Sequence, residues 1–491
     1  MERLTASMAP APQRPVKVLQ FGEGNFLRAF VDYFIDIANE KTDFNGSIAL
    51  VKPINIGTLF PAFKEQDYRY TVMLRGLVDG EAVEQTRVVT SVADAVDAYT
   101  DYDRYAAYAR LDSLRFIVSN TTEAGIVLDE SDELALCPPR TYPGKLTKLL
   151  YERAEHFNYA PDKGLIILPV ELIDDNGIML KKCVKALAKI WNLGEKFDQW
   201  LEEACVFTST LVDRIVTGYP RGEAESLYEE FGYRDNMLNT AEPFGLWVIE
   251  GPAWIEDELP FKKAGCNVVF TQDVSPYKLR KVRMLNGAHT SMVLGAYLAG
   301  HEIVGDCMAD ETMRSYMSQA LFNEIMPTLD LPKEDLEAFA SAIFERFSNP
   351  FNRHLLLSIA LNSQSKFRAR VLPTIKEYVK RKGELPKILT FSMAAFIAFY
   401  CGKKKEDGSF VGVRAAGNEY PIADDQFVLD FFAGMTGKPA AEIAHAVLAN
   451  PDFWGSDLTG ELPGFEASVA ASLEAIFTKG AKEAIAEVVA K

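Results

Sequence analysis

The feature that most constrains the fold is a strand-like run that ends on a glycine turn and opens a helix. Val16–Phe21 (VKVLQF) is uniformly apolar except for Lys17 and Gln20, and Gly22-Glu23-Gly24 follows it directly. From Asn25 to Glu40 the apolar residues Phe26, Phe30, Tyr33, Phe34 and Ile37 fall on one face at helical spacing. Ser47–Val51, Arg115–Ser119, Gly164–Pro169 and Asn267–Phe270 repeat the apolar run. Continuous β-branched runs suit strands covered on both faces, as in a parallel sheet. Strands alternating with helices predict a doubly wound α/β domain of the Rossmann type.

From about Ser275 this character is lost. Strand-like runs nearly vanish, and Ser275-Pro276 opens a helical region, with a capping serine and a proline suited to the first turn. Helices are expected at 309–325, 333–347, 353–361, 387–400 and 464–489, and the polar, glycine-rich stretch 402–419 reads as a surface loop. With 491 residues the chain is too long for one core. We therefore divide it into a Rossmann-type dinucleotide-binding domain, 1–275, and a mostly α-helical substrate and catalytic domain, 276–491. A cleft between two such domains is the expected place for substrate.

The net charge of −17 argues against nucleic acid or an anionic membrane as partner, and it requires a locally basic pocket for any anionic substrate. Six scattered cysteines without a CxxC pair argue for a reducing, cytoplasmic setting. The segment 1–15 lacks the apolar core of a signal peptide. No apolar run reaches the roughly 18 residues of a membrane span. The five histidines form no HxxxH or HxH pair, and neither a GxSxG elbow nor a P-loop is present, so no metal is expected.

Gly22 permits a tight turn, and Gly24 lets backbone approach a pyrophosphate; Glu23, Asn25 and Phe26 complete the motif. The third glycine of GxGxxG is absent, so a plain strand–helix turn is the competing reading. Beyond the second strand, where a carboxylate ordinarily binds the adenosine ribose, stands Lys52. It favours a 2′-phosphate or faces solvent, which leaves NAD and NADP open.

Lys281, Asn286 and His289 lie at i, i+5 and i+8 and span about 140° of an ideal helix. Oxidising a secondary alcohol needs a base for the hydroxyl proton and donors for the oxygen, which this trio can supply. The alternative is a solvated basic helix with a packed histidine. Gly287 weighs against it, because a glycine inside a helix costs about 1 kcal/mol and is easier to explain by a close approach. Asp213-Arg214 ends another strand-like run, as a site edge or a structural pair. Asn120 and Glu123 lie in a polar loop at a strand's carboxyl end, where α/β ligands bind, though Glu123 also suits a cap. His354, Lys366 and Arg368 gather basic groups able to hold a carboxylate, or form a solvated face.

Long stretches of the chain, in order, resemble the mannitol dehydrogenase family of long-chain polyol dehydrogenases. They are QFGEGNFLRAFVDYFID from Gln20, SNTTEAGI from Ser119, YPGKLTKLLYER from Tyr142, STLVDRIVTGYPR from Ser209, SPYKLRKVRMLNGAHTS from Ser275 and FERFSNPFNRHLLLSIALNSQSKFRARVLP from Phe344. The resemblance implies NAD on the glycine turn, no zinc, and a Lys-x4-Asn-x2-His signature at Lys281, Asn286 and His289. Lysine is then the base, asparagine an oxyanion donor and histidine a substrate contact. Asp213 matches an aspartate near nicotinamide and substrate, and Glu123 a glutamate linked to proton movement.

Two departures stand out. Leu172 replaces an oxyanion asparagine, and Ser358 replaces an arginine eight residues before Lys366. Both argue against mannitol, and the Glu171-Leu172-Ile173 form resembles the members that interconvert tagaturonate and altronate in hexuronate catabolism. A sugar acid is the implied substrate, with Lys366, Arg368, His354 or Arg214 facing its carboxylate. Fructuronate or a neutral polyol is the alternative substrate, and a non-catalytic nucleotide-binding protein the alternative function. The sequence leaves the oligomeric state open.

Overall fold

The computed structural model describes residues 1–490 except Thr58 and Glu123. Compact units span Met1–Val274 and Ser275–Lys491.

A six-stranded parallel sheet organises the first unit. Its spatial order is Val92–Val96, Ser47–Val51, Val16–Phe21, Phe116–Ser119, Ile166–Pro169, Val206–Phe207. The chain runs outward from the strand Val16–Phe21 in one direction and then in the other. The topological switch point therefore lies between that strand and Phe116–Ser119, where ligands of doubly wound sheets bind. Alternate residues of each strand feed two cores. Val18, Ile48, Leu50, Phe116, Val118, Ile166 and Leu168 pack on one side, and Leu19, Phe21, Ala49, Val51, Ile117 and Ile167 on the other. This two-sided burial explains why the strands read as unbroken apolar runs.

Several expectations are corrected. The helix expected over 25–40 is two helices, Asn25–Ala29 and Val31–Lys41, broken at Phe30 with φ −127° and ψ −77°. Asn267–Phe270 becomes Val268–Thr271 and joins a separate three-stranded sheet with Leu246–Glu250 and Ser209–Asp213. A hairpin that the apolar pattern does not reveal, Tyr70–Val78 with Glu81–Val89, turns on Asp79-Gly80 at φ 53° and 81°. Asp-Gly is the turn chemistry such a two-residue loop demands. Glu81–Val89 is mostly solvent-facing, which leaves little apolar periodicity to read.

The second unit is built on helices. Lys387–Tyr400 is buried from Ile388 onward and forms its centre, as a helix apolar all round must. Glu324 closes its amino end: its two carboxylate oxygens accept from the N–H groups of Ile388 (2.7 Å) and Leu389 (2.8 Å). Burial pushes the Glu324 carboxyl up to about 7. The expected 309–325 helix is three segments, the last a wide π-helical run over Gln319–Ile325. The expected 353–361 helix shrinks to Leu356–Ile359, and 464–489 is divided at Gly480, whose φ of 88° ends Phe465–Lys479. The stretch 402–419 is not a plain loop: Lys403–Lys404, Phe410–Val413 and Glu419–Pro421 form a small antiparallel sheet.

Candidate functional site

In the first unit, three strand ends converge on the glycine turn. The Gly22 N–H donates to the Val51 carbonyl (3.1 Å), and the Asn120 N–H donates to that of Phe21 (3.1 Å). Gly22 has φ +125°, and a Cβ there would lie 2.9 Å from Leu27 Cδ1 and 3.2 Å from the Asn120 carbonyl oxygen. Only glycine fits. Gly24 is the opposite case: a Cβ there would meet no atom within 4 Å. Bare backbone at the switch point, open on one side, fits the pyrophosphate of a dinucleotide.

The other residues of the turn are held in place. A Glu23 carboxylate oxygen accepts from the Leu59 N–H (2.6 Å). The Asn25 side-chain oxygen accepts from Arg28 (2.5 Å), and its backbone carbonyl from Asn239 (2.8 Å). The Phe26 ring stacks on Phe30 at 5.0 Å. Beside the turn, the loop that begins at Asn120 is pinned by Glu171. Its carboxylate, buried with its pKa raised by desolvation, accepts from the Thr121 N–H (2.9 Å), the Thr121 hydroxyl (2.9 Å) and the Ser119 hydroxyl (3.1 Å). Glu123 lies outside the described residues. Leu172, which follows Glu171, is 64% exposed.

Lys52 does not face solvent. It is buried, with Nζ 3.1 Å from a carboxylate oxygen of Asp97. Asp213 is buried at the end of the strand Ser209–Asp213. Arg214 is placed differently from the carboxylate partner expected of it. Its Nε, Nη1 and Nη2 donate to the carbonyls of Phe244 (2.9 Å), Ala29 (2.6 Å) and Pro243 (3.1 Å). Phe30, Tyr33 and Phe34 pack around its guanidinium. Arg214 is a structural cation.

In the second unit, the basic helix is not one regular helix. Ser275–Arg280 and Gly287–Leu298 are α-helical, and Lys281–Asn286 between them is a π-helical turn. On an α-helix Asn286 would sit about 140° around from Lys281. Hydrogen bonding from i to i+5 widens the turn and brings residue i+5 back over residue i. The irregular turn thus gathers side chains that regular geometry would spread. A Cβ on Gly287 would lie 3.1 Å from the carbonyl oxygen of Arg370, the close approach that its position suggested.

His289 stacks face to face on Phe347 (centroids 3.8 Å apart, 5° between planes) and meets His354 edge-on at 5.4 Å. Its Nε2 is buried without a hydrogen-bond partner. Burial pushes its pKa well below the ordinary 6.5, with His354, Arg346 and Arg370 pushing the same way. His289 is therefore folded uncharged. As pH falls below 6.5 the unfolded chain takes up a proton that the folded ring refuses. The stability contributed by the neutral ring is present above that pH and lost below it. Melting temperature recorded from pH 8 to pH 5 should fall more steeply for the parent than for His289→Asn; equal slopes would show the ring to be indifferent.

Arg346 and Arg370 are the residues that sequence reasoning missed. Both act on His289, and Arg370 also depresses Lys366, whose lowered pKa comes first from burial. Lys366 Nζ donates to the Ile359 carbonyl (2.9 Å). Arg368, by contrast, is exposed and reaches toward the Asp452 carbonyl (3.5 Å) and Gly455. A signal for this was available: on the helix Ser363–Arg370, residue 370 is about 40° from residue 366 and residue 368 is about 200° from it.

The sequence profile of the mannitol dehydrogenase Rossmann domain matches residues 16–263, and that of the mannitol dehydrogenase C-terminal domain matches 273–477. The chain belongs to the mannitol dehydrogenase family. Among members of this family, an altronate oxidoreductase of Pectobacterium atrosepticum is 46% identical over 492 residues, covering 99% of each chain. One from Escherichia coli is 46% identical over 493 residues, again 99% of each. The fold is shared with Pseudomonas fluorescens mannitol 2-dehydrogenase, solved as a ternary complex with NAD and D-mannitol (TM-score 0.68, 23% identity, 100% of each chain). It is also shared with a D-sorbitol dehydrogenase solved in substrate-free form (TM-score 0.80, 22% identity, 98% of this chain and 100% of that one). In this member of the mannitol dehydrogenase family, the second unit carries a lysine and an amide on the π-helical turn and an uncharged histidine on the helix that follows it. Among the described residues no group of three His, Cys, Asp or Glu is placed to hold a metal, and no helix is long and apolar enough to cross a membrane.

Proposed function

We propose that this protein is an NAD-dependent oxidoreductase that interconverts D-tagaturonate and D-altronate. The observation that carries the reading is the 46% identity to altronate oxidoreductases over 99% of both chains. Gly22, Glu23, Gly24, Asn25, Phe26 and Asn120 hold the dinucleotide, with Asp213 as a further contact. When bound, NADH supplies the hydride for the ketone carbon. Lys281 delivers the proton to the ketone oxygen, and in the reverse direction removes it from the alcohol. Asn286 donates a hydrogen bond to that oxygen, and the neutral His289 adds a second contact. With leucine at position 172, these two carry more of the oxygen's stabilisation. Arg370 and Lys366, with His354, neutralise the substrate carboxylate. Glu123 serves proton movement.

Steady-state NADH oxidation with tagaturonate, fructuronate and fructose tests the reading. Tagaturonate should exceed fructose in kcat/KM by about 10- to 100-fold, the worth of one charge-assisted hydrogen bond to its carboxylate. A preference for fructose would overturn the substrate, and NADH binding without turnover of any keto acid would favour a nucleotide sensor.

A further inference from the structure

We propose that Asp97 makes this site selective for a nucleotide with a free 2′-hydroxyl, by holding Lys52 away from a 2′-phosphate. The inference rests on the dinucleotide reading above and adds a residue to it. Lys52 directly follows the strand Ser47–Val51, and its N–H donates to the Val96 carbonyl (3.3 Å), so Lys52 and Asp97 are the first residues beyond two neighbouring parallel strands. The Val51 carbonyl in turn accepts from Gly22, which ties this corner to the phosphate-binding turn.

In doubly wound domains the residue beyond the second strand lies beside the adenosine ribose. A carboxylate there binds the hydroxyls, whereas a nearby cation admits a 2′-phosphate. By charge alone Lys52 would therefore select the phosphorylated cofactor. The structure gives it a partner instead. Lys52 Nζ lies 3.1 Å from Asp97 Oδ2, with the two side chains only 10% and 20% exposed. The carboxylate cannot swing away: Asp97 Oδ1 accepts from the Tyr99 N–H (3.0 Å), and the Asp97 carbonyl accepts from the N–H groups of Thr100 (3.1 Å) and Asp101 (2.9 Å). A 2′-phosphate reaching for the lysine would meet a fixed like charge. A ribose hydroxyl would meet an acceptor. Asp97, just beyond the strand Val92–Val96, thus performs the task usually given to an acid beyond the second.

Asp97→Asn tests this, because the amide keeps the Oδ1 acceptor for Tyr99 and removes both the charge and the Oδ2 acceptor that hold Lys52. Nucleotide binding is read by fluorescence titration of the full-length protein with NADPH and NADH, alongside kcat/KM with each. The variant should bind NADPH about tenfold more tightly than the parent, while NADH, which loses the charged acceptor for its ribose hydroxyl, should bind more weakly. Adding Lys52→Ala should abolish the gain. Equal changes for both nucleotides, or a gain that survives Lys52→Ala, would overturn the assignment. A parent protein that binds neither nucleotide would instead sink the dinucleotide reading, and this inference with it.

Discussion

Lys281→Ala is expected to lower kcat for keto-acid reduction by about 10²- to 10⁴-fold, the usual contribution of a positioned acid or base. KM should change far less, because the carboxylate contacts assigned to Arg370 and Lys366 remain. The π-helical turn Lys281–Asn286 makes the prediction specific. A lysine on a solvated face would gain nothing from an interrupted helix, whereas a lysine that must share a target with Asn286 gains convergence. A kcat within about twofold of the parent would remove Lys281 from the chemistry.

Arg214→Met should act on stability instead of on substrate. It removes the donor to three carbonyls, that of the buried Ala29 and those of the half-buried Phe244 and Pro243. A buried unsatisfied group costs about 1–3 kcal/mol. A loss on the order of 2–3 kcal/mol would lower the melting temperature by roughly 4–12 °C in a unit of this size. Were Arg214 instead a partner of the substrate carboxylate, the melting temperature would hold and KM would rise. Thermal unfolding and steady-state kinetics on the same preparation separate the two outcomes.

The central sheet was legible because its strands are buried on both faces, so that hydrophobicity alone marks them. The glycine turn was legible because Gly22 sits where only glycine fits. What escaped notice had weaker signals. The hairpin Tyr70–Val78/Glu81–Val89 pairs one buried strand with one exposed strand, and only its Asp-Gly turn announces it. The break at Phe30 has no proline or glycine to mark it.

By itself, then, the sequence determined the architecture and the glycine turn, and it marked Lys281, Asn286 and His289 as candidates. These depend on local rules, apolar periodicity and conformational freedom, whereas the π-helical turn that sets the geometry of Lys281 and Asn286 was not legible in their spacing. Only the tertiary structure decided which charges bear on the histidine, because Arg346 and Arg370, which help to depress its pKa, stand on separate helices. It also decided that Arg214 is occupied by the carbonyls of Ala29, at a helix end, and of Pro243 and Phe244, in a loop, and that the charge of Lys52 is matched by Asp97 at the end of the neighbouring strand. Charge and polarity are written in the residue type, but whether a charge is available is set by the groups the fold brings beside it.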